Sequence, residues 1–142
     1  MGNTASYTYI SAVQNVASGQ IGSSTPLSYV IQGFQSQIYI NGTDLSSSDK
    51  NTLIQTYNRN TNDIKGELRI TDSGNSSNYR VFSVIGDITG TAPYFINVLC
   101  TESSGTIDSG VDVTVGFTFY QSPTGTDNLT FDLQTNLVYY NN

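Results

Sequence analysis

Eleven carboxylates and ten tyrosines are the residues of this chain whose types could do chemistry, because histidine is absent and cysteine occurs once. Without histidine there is no Ser-His-Asp triad, the commonest general base is gone, and most zinc sites are excluded. A single cysteine rules out a Cys-rich metal site and an intrachain disulfide. The carboxylates draw closest at Asp108 and Asp112, which flank Ser109-Gly110-Val111, and at Asp44 and Asp49, which bracket a serine run. Clustered oxygens suit a hard cation such as Ca2+, yet no EF-hand spacing is present; solvated turn carboxylates are the expectation. A glycosidase pair needs two carboxylates held roughly 5–10 Å apart across a cleft, and no spacing here singles one out. Glycine motifs for nucleotides are also missing. The expectation is no enzyme, no catalytic residue, no metal ligand and no cofactor.

The tyrosines are Tyr7, Tyr9, Tyr29, Tyr39, Tyr57, Tyr79, Tyr94, Tyr120, Tyr139 and Tyr140. Tyrosine serves where a ring is buried and its hydroxyl stays wet. Core edges and contacts between subunits account for most of them; a sugar-stacking surface is the alternative. Cys100 ends the alternating segment Tyr94–Cys100, sharing a face with Tyr94, Ile96 and Val98. No cation sits near it in sequence to activate a thiolate, so a small buried apolar residue is expected.

The length of 142 residues suits one domain with a modest core. Only 11% of the residues are charged, against the usual quarter. Aromatics make up 11%, which argues against disorder. Low charge with much Thr, Asn and Tyr suits a sheet protein packed against copies of itself, where charge is costly to desolvate. The net charge is −6, and the five cations are unclustered, which argues against nucleic acid and against an anionic membrane surface. No basic and apolar start of the signal type is seen, and no apolar run approaches the ~20 residues of a membrane span. A chain soluble as made is expected. Three Asn-x-Ser/Thr sequences begin at Asn41, Asn75 and Asn128, and Met1–Ser6 fits the N-myristoylation pattern at Gly2. In a chain this rich in Asn, Ser and Thr, coincidence is the expectation for both.

Alternation of apolar residues organises the rest. Residues 1–13 read as a loose arm whose Tyr7–Val13 stretch alternates and could add a strand to a neighbouring subunit; residues 14–142 read as one β-rich domain. Ala17–Pro26 reads as loop, Leu27–Gly33 and Phe34–Asn41 as strands, and Asn41-Gly42 as a turn. Asp49–Tyr57 is the one helix candidate, with Leu53, Ile54 and Tyr57 on one stripe and Ser46, Ser47 and Ser48 offering N-cap oxygens. Then Gly66–Thr71, Tyr79–Gly86, Tyr94–Thr101 and Val111–Tyr120 read as an antiparallel meander, and Leu129–Tyr140 as a last half-buried strand. The fold class expected is mostly β, an antiparallel sandwich or barrel-like meander of six to eight strands, with one short helix over 49–57.

The meander resembles a module found in virion proteins of tailed phages, frequent in fibres and appendages of marine and cyanobacterial phages. The residues that carry the resemblance are Gly66-Glu67-Leu68-Arg69-Ile70, Tyr79–Thr89, Tyr94–Val98 and Gly105–Phe117. In those proteins a comparable G-x-L-x-I, F-x-V-x-G, Y-x-x-x-V and G-x-φ-x-x-G-x-x-V-x-φ-x-F succession recurs, φ being apolar. The serine run and helix of Leu45–Tyr57 also look like the segment preceding it. The match covers residues 45–120. It implies a virion structural role and self-association, often as a trimer.

The function expected is therefore a structural protein on the exterior of a tailed-phage virion, made in the host cytoplasm. A capsid decoration or a collar or tail-fibre accessory fits. It would act by self-association and by docking on other virion proteins. Tyr7, Tyr9 and Ile10 are the expected arm anchors, and Tyr139 and Tyr140 the other expected contact residues. The alternative is a module that recognises a host surface glycan.

Overall fold

The computed structural model describes residues 3–11 and 13–121. Eight strands form one sheet: β1 (Thr4–Ser11), β2 (Gln20–Ser23), β3 (Gln35–Ile40), β4 (Ile64–Asp72), β5 (Tyr79–Ile85), β6 (Thr89–Gly90), β7 (Tyr94–Ser104) and β8 (Asp112–Phe119). Their order is β3-β2-β1-β8-β4-β5-β7-β6, and β3 also pairs with β7. That last pairing joins the two ends, so seven strands close into a barrel and β6 is a short flap on β7. Every pairing is antiparallel except β1 with β2, which run parallel. Closure removes the unpaired edges that an open sheet would expose.

Period-two alternation explains why these segments are strands and what fills the barrel. Tyr7 and Tyr9 of β1, Leu68 and Ile70 of β4, Phe82 and Val84 of β5, Ile96 and Val98 of β7, and Val113 and Val115 of β8 are all buried in one continuous core. Between them on the outer face stand Glu67, Arg69, Thr114 and Thr118, all exposed. The interior is thus packed with side chains, as small barrels are.

The mostly-β, barrel-like expectation holds, and the strands over Gly66–Thr71, Tyr79–Gly86, Tyr94–Thr101 and Val111–Tyr120 correspond to β4, β5, β7 and β8. Their arrangement differs from a meander. β8 does not lie beside β7; it returns to pair with β4 on one side and β1 on the other. The spatial order β8-β4-β5-β7 is a Greek key. The β7–β8 connector must then cross a mouth of the barrel, and it does so with Ile107 buried in the core.

Three local expectations are corrected. Leu27–Gly33 is no strand: Leu27–Tyr29 is a 3-10 turn entered from Pro26. Leu27 and Val30, three apart, both turn inward and stop the mouth of the barrel. Asn41-Gly42 makes no hairpin; it opens an irregular segment that leads to the helix. That helix is shorter than 49–57, with α1 spanning Asn51–Gln55 and a 3-10 turn spanning Thr56–Arg59. The serines do not cap it. Its N-cap is Lys50, without a side-chain cap, because the serine amides and Ser46 Oγ are drawn to the Asp44 carboxylate instead. Ile54 and Tyr57 bury themselves under the opposite mouth. The strand expected over Leu129–Tyr140 lies outside the described residues.

The N-terminal arm is corrected as well. Thr4–Ser11 is β1, a central strand of the chain's own barrel, paired with β8 over Thr4–Thr8 and with β2 over Thr8–Ser11. The strand is therefore built into the chain's own barrel rather than standing off it as a loose arm.

Candidate interaction surface

The expected anchors separate on inspection of their surroundings. Tyr7 and Tyr9 are core residues. Tyr7 donates its hydroxyl to the Asn41 carbonyl at 2.7 Å, and burial pushes its phenol well above the ordinary value. Tyr9 Oη lies 2.7 Å from Ser23 Oγ and accepts from the Leu27 amide at 2.9 Å. These hydroxyls are committed inside the chain, so neither ring is an interface anchor in this arrangement. Ile10 alone of the three is half-exposed. Tyr139 and Tyr140 lie outside the described residues.

The carboxylates do not converge either. No group of three or more His, Cys, Asp or Glu side chains placed to hold a metal ion occurs among the described residues. Asp112 accepts a hydrogen bond from Thr8 Oγ1 at 2.8 Å. Asp44 is buried beneath the serine loop and accepts from the amides of Ser6, Ser46 and Ser48 and from Ser46 Oγ. Burial raises its carboxyl, but the hydrogen bonds outweigh that and hold it below the ordinary value. Cys100 is buried, and desolvation raises its thiol above the ordinary value, as expected of an inert core cysteine.

What the barrel does assemble is a rigid, apolar mouth. Arg80, at the start of β5, is 1% exposed and points into that mouth. It has no carboxylate partner among the described residues. Instead its guanidinium donates to five carbonyls: Nε to Leu27 and Val30, Nη1 to Tyr79 and Ser104, and Nη2 to Gly105. Leu27 and Val30 belong to the β2–β3 connector; Ser104 and Gly105 begin the Greek-key crossing. One planar, delocalised cation therefore fastens the two connectors to each other. Burial lowers the guanidinium from its ordinary value.

The outward side of the same connector carries Tyr29, 73% exposed, Ile31, 61%, and Phe34, 39%. Phe34 is held by its backbone, for its amide donates to the Ile31 carbonyl and its carbonyl accepts from the Cys100 amide. Beside Tyr29 lies a shallow cleft of about 290 Å³ that also involves Ser11, Pro26, Ser28, Ile107, Asp108 and Ser109. Large apolar side chains exposed within a few residues of one another mark contact sites more often than isolated ones do. Sequence reasoning passed over them because Leu27–Gly33 read as strand. One signal was available: no charged side chain precedes Asp44. The face built from β1, β2, β3 and their connectors is therefore neutral in a chain of net charge −6.

No family model, no curated protein and no solved structure matches this chain.

Proposed function

We propose that this chain is a non-catalytic structural protein on the exterior of a tailed-phage virion, acting by self-association and by docking through the exposed apolar side chains at its mouth. One observation carries the reading: Tyr29, Ile31 and Phe34 stand exposed on a connector that Arg80 locks from beneath. A preordered apolar patch loses little conformational entropy when it is covered. A second copy is the occupant the charges favour. Copies that each carry −6 repel least across this face, where β1, β2 and β3 carry no charge and Asp108 is the one carboxylate lining the cleft beside Tyr29.

The pattern that resembles phage appendage modules supports the virion part of the proposal. Its residues Gly66–Ile70, Tyr79–Thr89, Tyr94–Val98 and Gly105–Phe117 occupy the Greek-key half of the barrel. Gly86, Gly105 and Gly110 take positive φ angles in its turns. The test is localisation. Antibody raised against the purified chain should decorate the outside of intact particles of the phage that encodes it, seen by electron microscopy at symmetric positions on capsid, collar or tail. Particles that remain bare, with the chain recovered only in the soluble fraction of the lysate, would refute the virion role.

A further inference from the structure

A glycine in mid-strand costs roughly 0.5–1 kcal/mol relative to alanine, so its presence wants a reason. At Gly66 the reason is plain. Its φ is +156°, and a Cβ there would collide with the Thr118 carbonyl. Gly116 in β8 has no such reason. Its φ is not among the positive ones, and the nearest atom to an added Cβ is Arg69 Cβ at 3.9 Å. Neither backbone nor packing demands glycine. What the missing side chain does is leave a dent on the outer face of the barrel. A strand glycine of this kind marks a place where a ligand or another backbone comes close.

The dent lies in a groove of about 290 Å³ lined by Asn3, Glu67, Arg69, Val81, Gly116 and Thr118, among others. Register puts Arg69 beside Gly116 and Glu67 beside Thr118 across the β4–β8 pair, with Val81 beyond Arg69 on β5. Arg69 is committed elsewhere: its guanidinium carbon stands 4.3 Å over the Tyr79 ring, and Nε donates to Thr71 Oγ1 at 3.3 Å. The Glu67 carboxylate is exposed. The groove thus offers one exposed carboxylate, an amide and a hydroxyl around a floor of glycine backbone and valine.

We infer that this groove binds an uncharged glycan through a single sugar ring. The Glu67 carboxylate accepts from ring hydroxyls, Asn3 and Thr118 both donate and accept, and the Gly116–Val81 floor receives an apolar C–H face. Charge sets the class. Glu67 and Arg69 side by side leave the groove with no net charge, so neither an anion nor a cation is favoured over an uncharged ligand. The volume sits at the small end of ligand clefts, about 300 Å³, which suits one ring. This site lies on the barrel wall, apart from the Tyr29 mouth, so its failure leaves the docking reading standing.

The experiment is two-dimensional amide NMR of the full chain, titrated in turn with maltose, cellobiose, lactose and N,N′-diacetylchitobiose. At least one sugar should shift the amides of Thr4, Glu67, Gly116 and Thr118 saturably. A Cβ at Gly116 meets nothing closer than 3.9 Å, so Gly116→Thr should melt no lower than the parent, yet bind at least about tenfold more weakly, a loss of ~1.4 kcal/mol. Glu67→Gln should weaken binding in the same direction. Shifts with none of the four sugars, or undiminished binding by Gly116→Thr, would overturn the inference. So would the same amides moving when the protein alone is concentrated, which would assign the groove to a second copy.

Discussion

Arg80 is the residue on which the mouth of the barrel depends. A buried cation without a counter-ion is expensive, and here five carbonyls supply the compensation that a carboxylate usually does. Arg80→Met would remove the donors from both connectors at once and leave the buried Val30 carbonyl without this partner. The expected loss is about 3 kcal/mol or more, read as a lower urea midpoint with an unchanged slope. Arg80→Lys should not restore it, because a point ammonium cannot span the fork. Asp44 gives the pH counterpart. Its folded carboxyl titrates below the ordinary range, so its contribution is complete above the unfolded value of about 3.9. It is lost as pH falls through the lower folded value. The stability difference between the parent and Asp44→Asn should therefore be constant near neutrality and shrink below about pH 4, measured by urea unfolding across the acid range. Neither role was visible in the sequence. Arg80 sits in an ordinary-looking strand, Tyr79–Ile85, where alternation turns it inward with Phe82 and Val84; only the Greek-key crossing brings its acceptors within reach.

At the scale of elements, the strands whose alternation is long and strong were legible. β4, β5, β7 and β8 fall where the apolar period places them. The short pieces were not. β2 is Gln20-Ile21-Gly22-Ser23, with too few residues and too little apolar character to show a period; its place is fixed by β1 and β3 on either side. Leu27–Val30 has strand composition, but Pro26 and the i, i+3 burial of Leu27 and Val30 make it a plug. The α1 segment and its following 3-10 turn are too short to persist alone in water. They exist because Ile54 and Tyr57 are buried under the other mouth, where Tyr57 donates to the Glu67 carbonyl and its ring lies 4.6 Å from that of Phe119. The register of β4 there includes a shift between Ile64 and Gly66, which brings the Thr118 carbonyl against Gly66. Gly66→Ala should destabilise the chain by several times the ~1 kcal/mol of an ordinary strand substitution, and by far more than Gly116→Ala. Parallel thermal melts of the two variants check it.

For the whole molecule, closure depends on one long-range seam. β3 joins β7 from Gln35↔Leu99 to Ile40↔Tyr94, strands far apart in sequence, and alternation within either strand cannot announce which partner it will meet. The barrel was therefore legible as a class and illegible as a topology. The contact surface was hidden for a related reason: Tyr29, Ile31 and Phe34 belong together only once the connector between β2 and β3 is bent over the mouth. Tyr7 and Tyr9 illustrate the reverse, since their spacing looks the same whether the strand pairs with its own chain or with a neighbour's. Folding against β2 and β8 turns both rings inward. The charge distribution survives either way, because a segment without charge remains neutral wherever it folds. Sedimentation velocity over a wide concentration range, on the parent chain and on Tyr29→Ser/Ile31→Ser/Phe34→Ser, tests the docking claim most directly. The parent should associate with rising concentration, and the triple variant should stay monomeric with an unchanged melting temperature. A parent that remains monomeric throughout, or a triple variant that associates as the parent does, would contradict it.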